Sequence, residues 1–212
     1  RNLDHETSRQ VLTEAYLKSY RKSLSRHVNC YRGTTQISVA DANGNLASMT
    51  LSNGEGSGYV LPGTGIMLNN MLGEEDINPY GFHLWPENRR IASMMAPTLM
   101  LSGNGMSVAT GSGGSNRIRS AILQVLVNLI DFGMDVDRAV EFPRLHLEQE
   151  TLNLEHQIAL CDHEKLNGCF SEIKLWPDKN LFFGGAHTVM RSASGELFGK
   201  GDSRRGGACI KV

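Results

Sequence analysis

An α+β domain in which helices cover a sheet is the fold class this chain predicts, and three observations predict it. Short stretches alternate apolar and polar residues and close on turn residues, the pattern of antiparallel hairpins. Two segments of helical periodicity lie together mid-chain, and no parallel strand–helix–strand framework is legible. Glycine, at 23 residues, exceeds its usual share of roughly 7% while proline is scarce, as tight turns and close backbone approaches require.

Glu6 to His27 reads as a helix, because Val11, Leu12, Ala15, Tyr16 and Tyr20 recur at three- and four-residue spacing among charged and polar positions. Gly33 follows as a flexible joint. From Thr34 the period changes to two: Ile37-Ser38-Val39-Ala40, a turn at Asp41-Ala42-Asn43-Gly44, then Leu46 to Ser52 as a second strand. Glycines crowd Asn53 to Gly65. Next come an apolar strand Ile66-Met67-Leu68, an acidic polar loop Asn69 to Arg90 too long for plain connection, and a strand around Thr98 to Leu101. A tight turn at Ser102-Gly103-Asn104-Gly105 leads to a strand Met106 to Ala109, which runs into a glycine loop Thr110 to Ser115. Ile118, Ala121, Ile122, Val125, Leu126, Leu129 and Ile130 form the apolar stripe of a helix ending near Gly133. A shorter helix, Val136 to Phe142, is stopped by Pro143, and a hairpin across Ser192-Ala193-Ser194-Gly195 closes the chain.

With 212 residues, 40% of them hydrophobic, the chain is long enough for one substantial core. Lys+Arg 21 against Asp+Glu 22 leaves a formal charge of -1, so no field is implied that would recruit nucleic acid or an anionic membrane. No apolar run approaches the ~20 residues that span a bilayer; the longest, Ala121 to Ile130, is interrupted by Gln124 and Asn128. The chain opens at Arg1 without a methionine or signal peptide, the expectation for a piece whose upstream portion is removed or absent. Cys30, Cys161, Cys169 and Cys209 lack metal spacing and read either as unpaired thiols or as two disulfides in one of three pairings that the sequence does not rank.

The segment Thr34-Thr35-Gln36-Ile37-Ser38-Val39-Ala40-Asp41-Ala42-Asn43-Gly44 resembles the opening of the small subunit of the gamma-glutamyltransferase family, T-T-H-x-S-V-x-D-x-x-G, with Gln36 in place of the histidine. The resemblance continues in order through Gly63-Thr64-Gly65-Ile66-Met67-Leu68-Asn69-Asn70, Ser93-Met94-Met95-Ala96-Pro97-Thr98, Thr110-Gly111-Ser112-Gly113-Gly114-Ser115 and Asp202-Ser203-Arg204-Arg205-Gly206-Gly207-Ala208. It implies a four-layer αββα sandwich of the N-terminal-nucleophile hydrolase type. It also implies self-cleavage at Gly33-Thr34, dividing residues 1–33, the end of a large-subunit region, from a small-subunit catalytic region 34–212. Most of the large subunit, including an arginine that pairs with the substrate carboxylate, would then lie outside this sequence, as a partner portion of the same precursor. A periplasmic or extracellular setting is implied by the resemblance alone.

The chemistry suits a threonine. Its hydroxyl is a poor nucleophile near neutrality and needs an adjacent base, which a freed α-amine with a pKa of about 7.7 to 8.0 supplies while also returning the proton to the leaving group. The resemblance assigns Thr34 as nucleophile, Ser52 as the hydroxyl bonded to it, and a glycine loop as oxyanion donors. The family's proline before this loop is missing, so the donors are Gly114 and Ser115 or Gly113 and Gly114, according to the alignment. By the same resemblance Asn53 falls where the family places an asparagine that contacts the substrate. Glu74 best matches the acidic residue that captures the substrate ammonium, and Ser93 the first of two serines on its carboxylate. Met94 replaces the second serine, and a thioether cannot donate a hydrogen bond. The implied substrate is a small gamma-glutamyl compound such as glutathione, or an amide with a different acyl group. No metal or cofactor is called for, and His146, His156, His163 and His187 lack ligand spacing.

Two other readings compete. A phosphate-cradling loop at Gly103 to Ser115 lacks both the Walker lysine and the G-x-G-x-x-G pattern. A non-catalytic, uncleaved relative of the same fold draws support from Gln36 and Met94, whereas Thr34 after a glycine, Ser52 and Gly113-Gly114 oppose it.

Overall fold

The computed structural model describes residues 33–155 and 168–212, with Thr13, Lys18, Ile158 and Leu166 as isolated positions. The helix expected over Glu6 to His27 lies outside the described residues apart from Thr13 and Lys18. Residues 33–212 form one unit.

Its elements are β1 (Thr34–Ala40), β2 (Leu46–Ser52), β3 (Thr98–Leu101), β4 (Ser107–Gly113), α1 (Arg117–Ile130), α2 (Val136–Glu141), β5 (Leu145–Glu148), β6 (Thr151–Leu154), β7 (Glu172–Leu175), β8 (Gly185–Arg191) and β9 (Leu197–Lys200). They build an antiparallel β1–β2 ribbon, a four-stranded antiparallel sheet in the order β3-β4-β8-β9, and a three-stranded sheet β5-β6-β7. The β1–β2 turn is fixed by Asp41, whose carboxylate accepts from the Asn45 backbone at 2.8 Å and from its side-chain amide at 2.7 Å. That turn sets a register in which Thr34 faces Ser52.

The ribbon packs on the four-stranded sheet through polar side chains. Gln36 is buried; its amide nitrogen donates to the Ser38 and Ser48 hydroxyls at 2.9 and 3.0 Å, and Thr50 donates to its oxygen at 2.5 Å. Ser38 and Ser48 in turn donate to the carbonyls of His187 and Thr110, both at 2.8 Å. Space for this network comes from Gly111, where a Cβ would stand 2.2 Å from the Gln36 oxygen.

The opposite face of that sheet carries the core. Val108 and Ala186 meet Val125 and Leu129 of α1 and Val136, Ala139 and Val140 of α2. Burying each valine or leucine stabilises the fold by about 1.5–3 kcal/mol. The α1 stripe follows the predicted periodicity through Ile118, Ala121, Ile122, Val125 and Leu129, but Ile130 is exposed and Asn128 is buried instead, its amide donating to the Ala139 carbonyl at 3.2 Å. Helix α2 is opened by Asp135, whose carboxylate accepts from the Arg138 backbone at 2.7 Å. Ribbon, sheet and helices give β, β and α layers in succession. The second helical layer is not among the described residues.

Three local expectations change. Ile66-Met67-Leu68 is no strand: Met67 forms one isolated bridge to Val60 within a surface loop closed on itself by Ser57 and Leu68. The expected glycine loop from Thr110 is strand as far as Gly113, because Gly111, Ser112 and Gly113 pair with His187, Ala186 and Gly185. Strands β5 to β7 are present where no strand is expected from the sequence. The β5–β6 turn uses Gln149 at φ 53, with no glycine, proline or asparagine to mark it.

A buried ion cluster ties the C-terminal segment down. Asp202 binds Arg144 at 2.7 Å and Arg204 at 3.2 Å, and Arg204 reaches Glu155 at 2.5 Å. Two cations and two anions cancel, and all four side chains are buried. Among the described residues no helix is long and apolar enough to cross a membrane.

Candidate active site

Thr34 opens β1, and its hydroxyl lies 3.0 Å from the Ser52 hydroxyl directly across the ribbon. Ser52 also accepts from the Gly54 backbone N–H at 3.1 Å, which leaves its own proton available for Thr34. The threonine oxygen therefore has a donor that can follow it as negative charge develops.

Gly33 precedes with φ 82, and a Cβ there would stand 1.9 Å from the Gly54 carbonyl oxygen, so only glycine fits. The Asn53 N–H donates to the Gly33 carbonyl at 3.1 Å. The peptide bond before Thr34 thus carries a polarised carbonyl. The Asn53 side chain points to solvent, with no hydrogen bond among the described residues.

Gly113 ends β4 against Thr34: a Cβ on it would meet the Thr34 carbonyl oxygen at 3.1 Å and the Thr34 Cβ at 3.2 Å. Gly114 turns away with φ 131, where a side chain would press within 2.9 Å of Gly184. Ser115 follows at φ 54 and donates to Asp76 at 3.0 Å, and α1 begins two residues later. Of the residues in the two donor pairs left open by the sequence, Gly113 is the one whose Cβ position meets Thr34.

Glu74 reaches the same neighbourhood from the acidic loop, its carboxylate 3.2 Å from where a Gly54 Cβ would stand. Ser93 accepts from the Met95 N–H at 3.0 Å on an exposed stretch, and among the described residues no hydrogen bond joins it to the Thr34 group. The geometry thus gathers Gly33, Thr34, Ser52, Gly113 and Gly114, with Glu74 and the Asn53 backbone beside them.

Sequence reasoning missed Arg205, which it quoted only inside a closing motif. Its aliphatic stem crosses Gly185, where a Cβ would stand 2.6 Å from Cδ, and its Nη1 and Nη2 lie 3.5 and 3.3 Å from the Cβ positions of Gly113 and Gly114. The available signal was a second arginine directly after the one held by the ion cluster. A cleft of about 350 Å³ between β1, β8 and the C-terminal segment is lined by Gln36, Ser38, His187, Lys200, Arg205 and Cys209. Burial holds the His187 pKa below its ordinary value, with Asp202 opposing, and its Nδ1 accepts from the Asp202 N–H at 3.2 Å. The Cys209 thiol is unpaired and exposed, whereas Cys30 and Cys161 lie outside the described residues.

The pattern of the Gamma-glutamyltranspeptidase family matches residues 3–212. The Glutathione hydrolase proenzyme of Bacillus subtilis (strain 168) is 31% identical over 183 residues, which cover 84% of this chain and 31% of the relative. The Acylase ACY 1 proenzyme of Pseudomonas sp. (strain SE83) is 37% identical over 127 residues, 59% of this chain and 23% of that protein. A crystal structure of a Helicobacter pylori gamma-glutamyltranspeptidase mutant superposes with a TM-score of 0.68 at 29% identity, covering 80% of this chain and 99% of that one. The chain spans about a third of the length of the Bacillus relative. Since the match runs from its third residue to its last, across the ribbon, the glycine turn and the ion cluster alike, the chain belongs to the gamma-glutamyltranspeptidase family.

Proposed function

We propose that this chain carries the small-subunit catalytic region of a gamma-glutamyltransferase-like amidohydrolase, released by its own cleavage at Gly33-Thr34. The observation that carries the reading is the Thr34–Ser52 hydroxyl pair, 3.0 Å apart, next to a Gly33 carbonyl that accepts the Asn53 N–H. In the first reaction Thr34 Oγ1 attacks the Gly33 carbonyl carbon, and the Asn53 N–H takes up charge on the carbonyl oxygen. The Gly33–Thr34 C–N bond breaks as its nitrogen takes the proton given up by the Thr34 hydroxyl, leaving Gly33 joined to Thr34 Oγ1 as an ester. Water then hydrolyses the ester, returning the Thr34 hydroxyl and freeing the Gly33 carboxylate.

The new α-amine of Thr34 next serves as base. It takes the hydroxyl proton as Oγ1 attacks the carbonyl of an acyl donor, and gives that proton to the leaving amine when the donor's C–N bond breaks. The N–H groups of Gly113 and Gly114 are the oxyanion donors in this reading. Water or an amine acceptor then cleaves the acyl ester. Glu74 receives the ammonium of a gamma-glutamyl donor such as glutathione, with Asn53 and Ser93 as further contacts. The rest of the pocket is supplied by the large-subunit portion of the same precursor.

Met94 in place of a carboxylate-binding serine, together with the likeness to an acylase, favours a second reading in which the acyl group is not gamma-glutamyl. Intact mass and N-terminal sequence of the full-length protein, beside Thr34→Ala, test the first step. Wild type is expected to release a fragment beginning at Thr34 and the variant to stay whole. Wild type that folds yet stays whole identifies a non-catalytic relative. Glutathione and uncharged amides, compared as donors, then separate the two acyl readings.

A further inference from the structure

We infer that Arg205 is an anchor for a carboxylate on the acyl donor, placed beside Thr34 by three glycines. This rests on Thr34 being the nucleophile, as proposed above.

Arg204 and Arg205 are consecutive, but their surroundings are opposite. Arg204 is saturated: Glu155, Asp202 and the carbonyls of Val140 and Phe142 accept from its guanidinium. Arg205 has no ion pair among the described residues. Its one hydrogen bond runs from Nη2 to the Leu181 carbonyl at a long 3.4 Å, and its buried Nε–H meets no acceptor. Asp202, the nearest acid acting on it, is already engaged by Arg144, Arg204 and the Ala186 N–H. Burial, reinforced by the like charge of Arg117, pushes the Arg205 pKa down. Arg205 is half-buried: its Nε–H is covered and without an acceptor while its Nη end is open, so the fork keeps donors free for an incoming anion, and a guanidinium fork suits a carboxylate.

The glycines give the direction. A Cβ at Gly185 would overlap the Arg205 stem, with Cδ, Cγ and Cβ at 2.6 to 2.8 Å, so the side chain lies flat across the strand pair β4–β8. Its head ends near Gly113, whose Cβ position lies 3.5 Å from Nη1 and 3.1 to 3.2 Å from the carbonyl oxygen and Cβ of Thr34. Guanidinium and nucleophile therefore meet at one backbone position, and an acyl group held on Thr34 meets the cation through a carboxylate a few atoms from its reacting carbonyl. The chain's other anchor for such a group is weakened, since Met94 cannot donate.

The test uses the full-length protein and two probes, glutarate and its diamide, with binding read by calorimetry on wild type, Arg205→Gln and Arg205→Lys. Glutarate is expected to bind wild type roughly 10- to 100-fold more tightly than Arg205→Gln, the range for hydrogen bonds to a charged group, while the diamide does not discriminate. Wild type that ignores glutarate, or Arg205→Gln that binds it equally well, overturns the assignment. Should Arg205→Gln fail to fold, Arg205→Lys decides: at least threefold weaker binding supports capture by the fork, and undiminished binding overturns it. Where turnover is measurable, the preference in kcat/KM for a carboxylate donor over its methyl ester is expected to fall at least tenfold in Arg205→Gln. An equal loss on both donors makes Arg205 an oxyanion donor and overturns the anchor. N-terminal sequence of wild type reports self-cleavage separately, so failure of the nucleophile reading is distinguishable from failure of this one.

Discussion

Thr34 and Ser52 hold two hydroxyls 3.0 Å apart with one outside donor, the Gly54 N–H, which fills one Ser52 lone pair and leaves the Ser52 proton free to be given to Thr34. Ser52→Ala removes that donor while keeping the strand. Self-cleavage is expected to slow by roughly 10- to 100-fold, the loss of a hydrogen bond to a developing charge, followed by mass spectrometry over time. Gly33→Ala acts differently. Its Cβ cannot coexist with the Gly54 oxygen at 1.9 Å, and φ 82 strains any L-residue, so the Gly33 carbonyl must leave the Asn53 N–H. The expected result is a precursor less stable by about 1–3 kcal/mol that no longer cuts itself, read by denaturant melts and intact mass.

Among the elements, α2 shows how a short helix is held at its end. Burial raises the pKa of Glu141, but hydrogen bonds from Lys179 and Ser203 outweigh it and hold the carboxyl at about 2 against an ordinary 4.5. A depressed carboxyl stabilises the fold above pH 4.5, and that contribution is lost as pH falls toward about 2. Because the Glu141 side chain keeps 21% of its surface exposed, the effect is on the order of 1 kcal/mol after screening. Glu141→Gln is expected to lower the melting temperature at pH 7, with the difference from wild type shrinking as pH approaches 2. Elements were legible where local chemistry decided them. Asp41 to Gly44 announced the first hairpin, and the register that brings Ser52 to Thr34 follows from that turn alone. Strands β5 and β6 were hidden because Gln149 adopts a left-handed conformation without a residue type that advertises it. Thr110 to Gly113 looked like a loop because its glycines serve contacts with Gln36 and Thr34 that no local pattern encodes. Arg205 was illegible for the same reason: its place depends on Gly113 and Gly185 becoming neighbours through β-pairing.

For the molecule as a whole, the cluster of Arg144, Glu155, Asp202 and Arg204 joins the C-terminal segment to α2, β5 and β6. Burial lowers the Arg144 pKa with Asp202 opposing, whereas for Arg204 the hydrogen bonds to Glu155 and the charge of Asp202 overcome burial and raise it. Removing one partner leaves charge buried without compensation. Asp202→Asn is expected to cost about 3–5 kcal/mol, and so roughly 10 °C of melting temperature in a domain of this size, measured by calorimetry.

The polar seam between ribbon and sheet, centred on Gln36, gives the two layers different responses to denaturant. Lifting the ribbon away uncovers hydroxyls and an amide, with Ala40 and Leu46 the only aliphatic residues on that face of the ribbon, so its opening has a small m-value and little heat capacity. Amide exchange in β1 and β2 is then expected to proceed through a local opening almost insensitive to low urea, while β4, backed by Val125 and Leu129, exchanges with the steep urea slope of global unfolding. Equal slopes for the two would mean that ribbon and sheet part only when the whole domain unfolds. Unequal slopes would make the strand that carries Thr34 the most readily released part of its own scaffold.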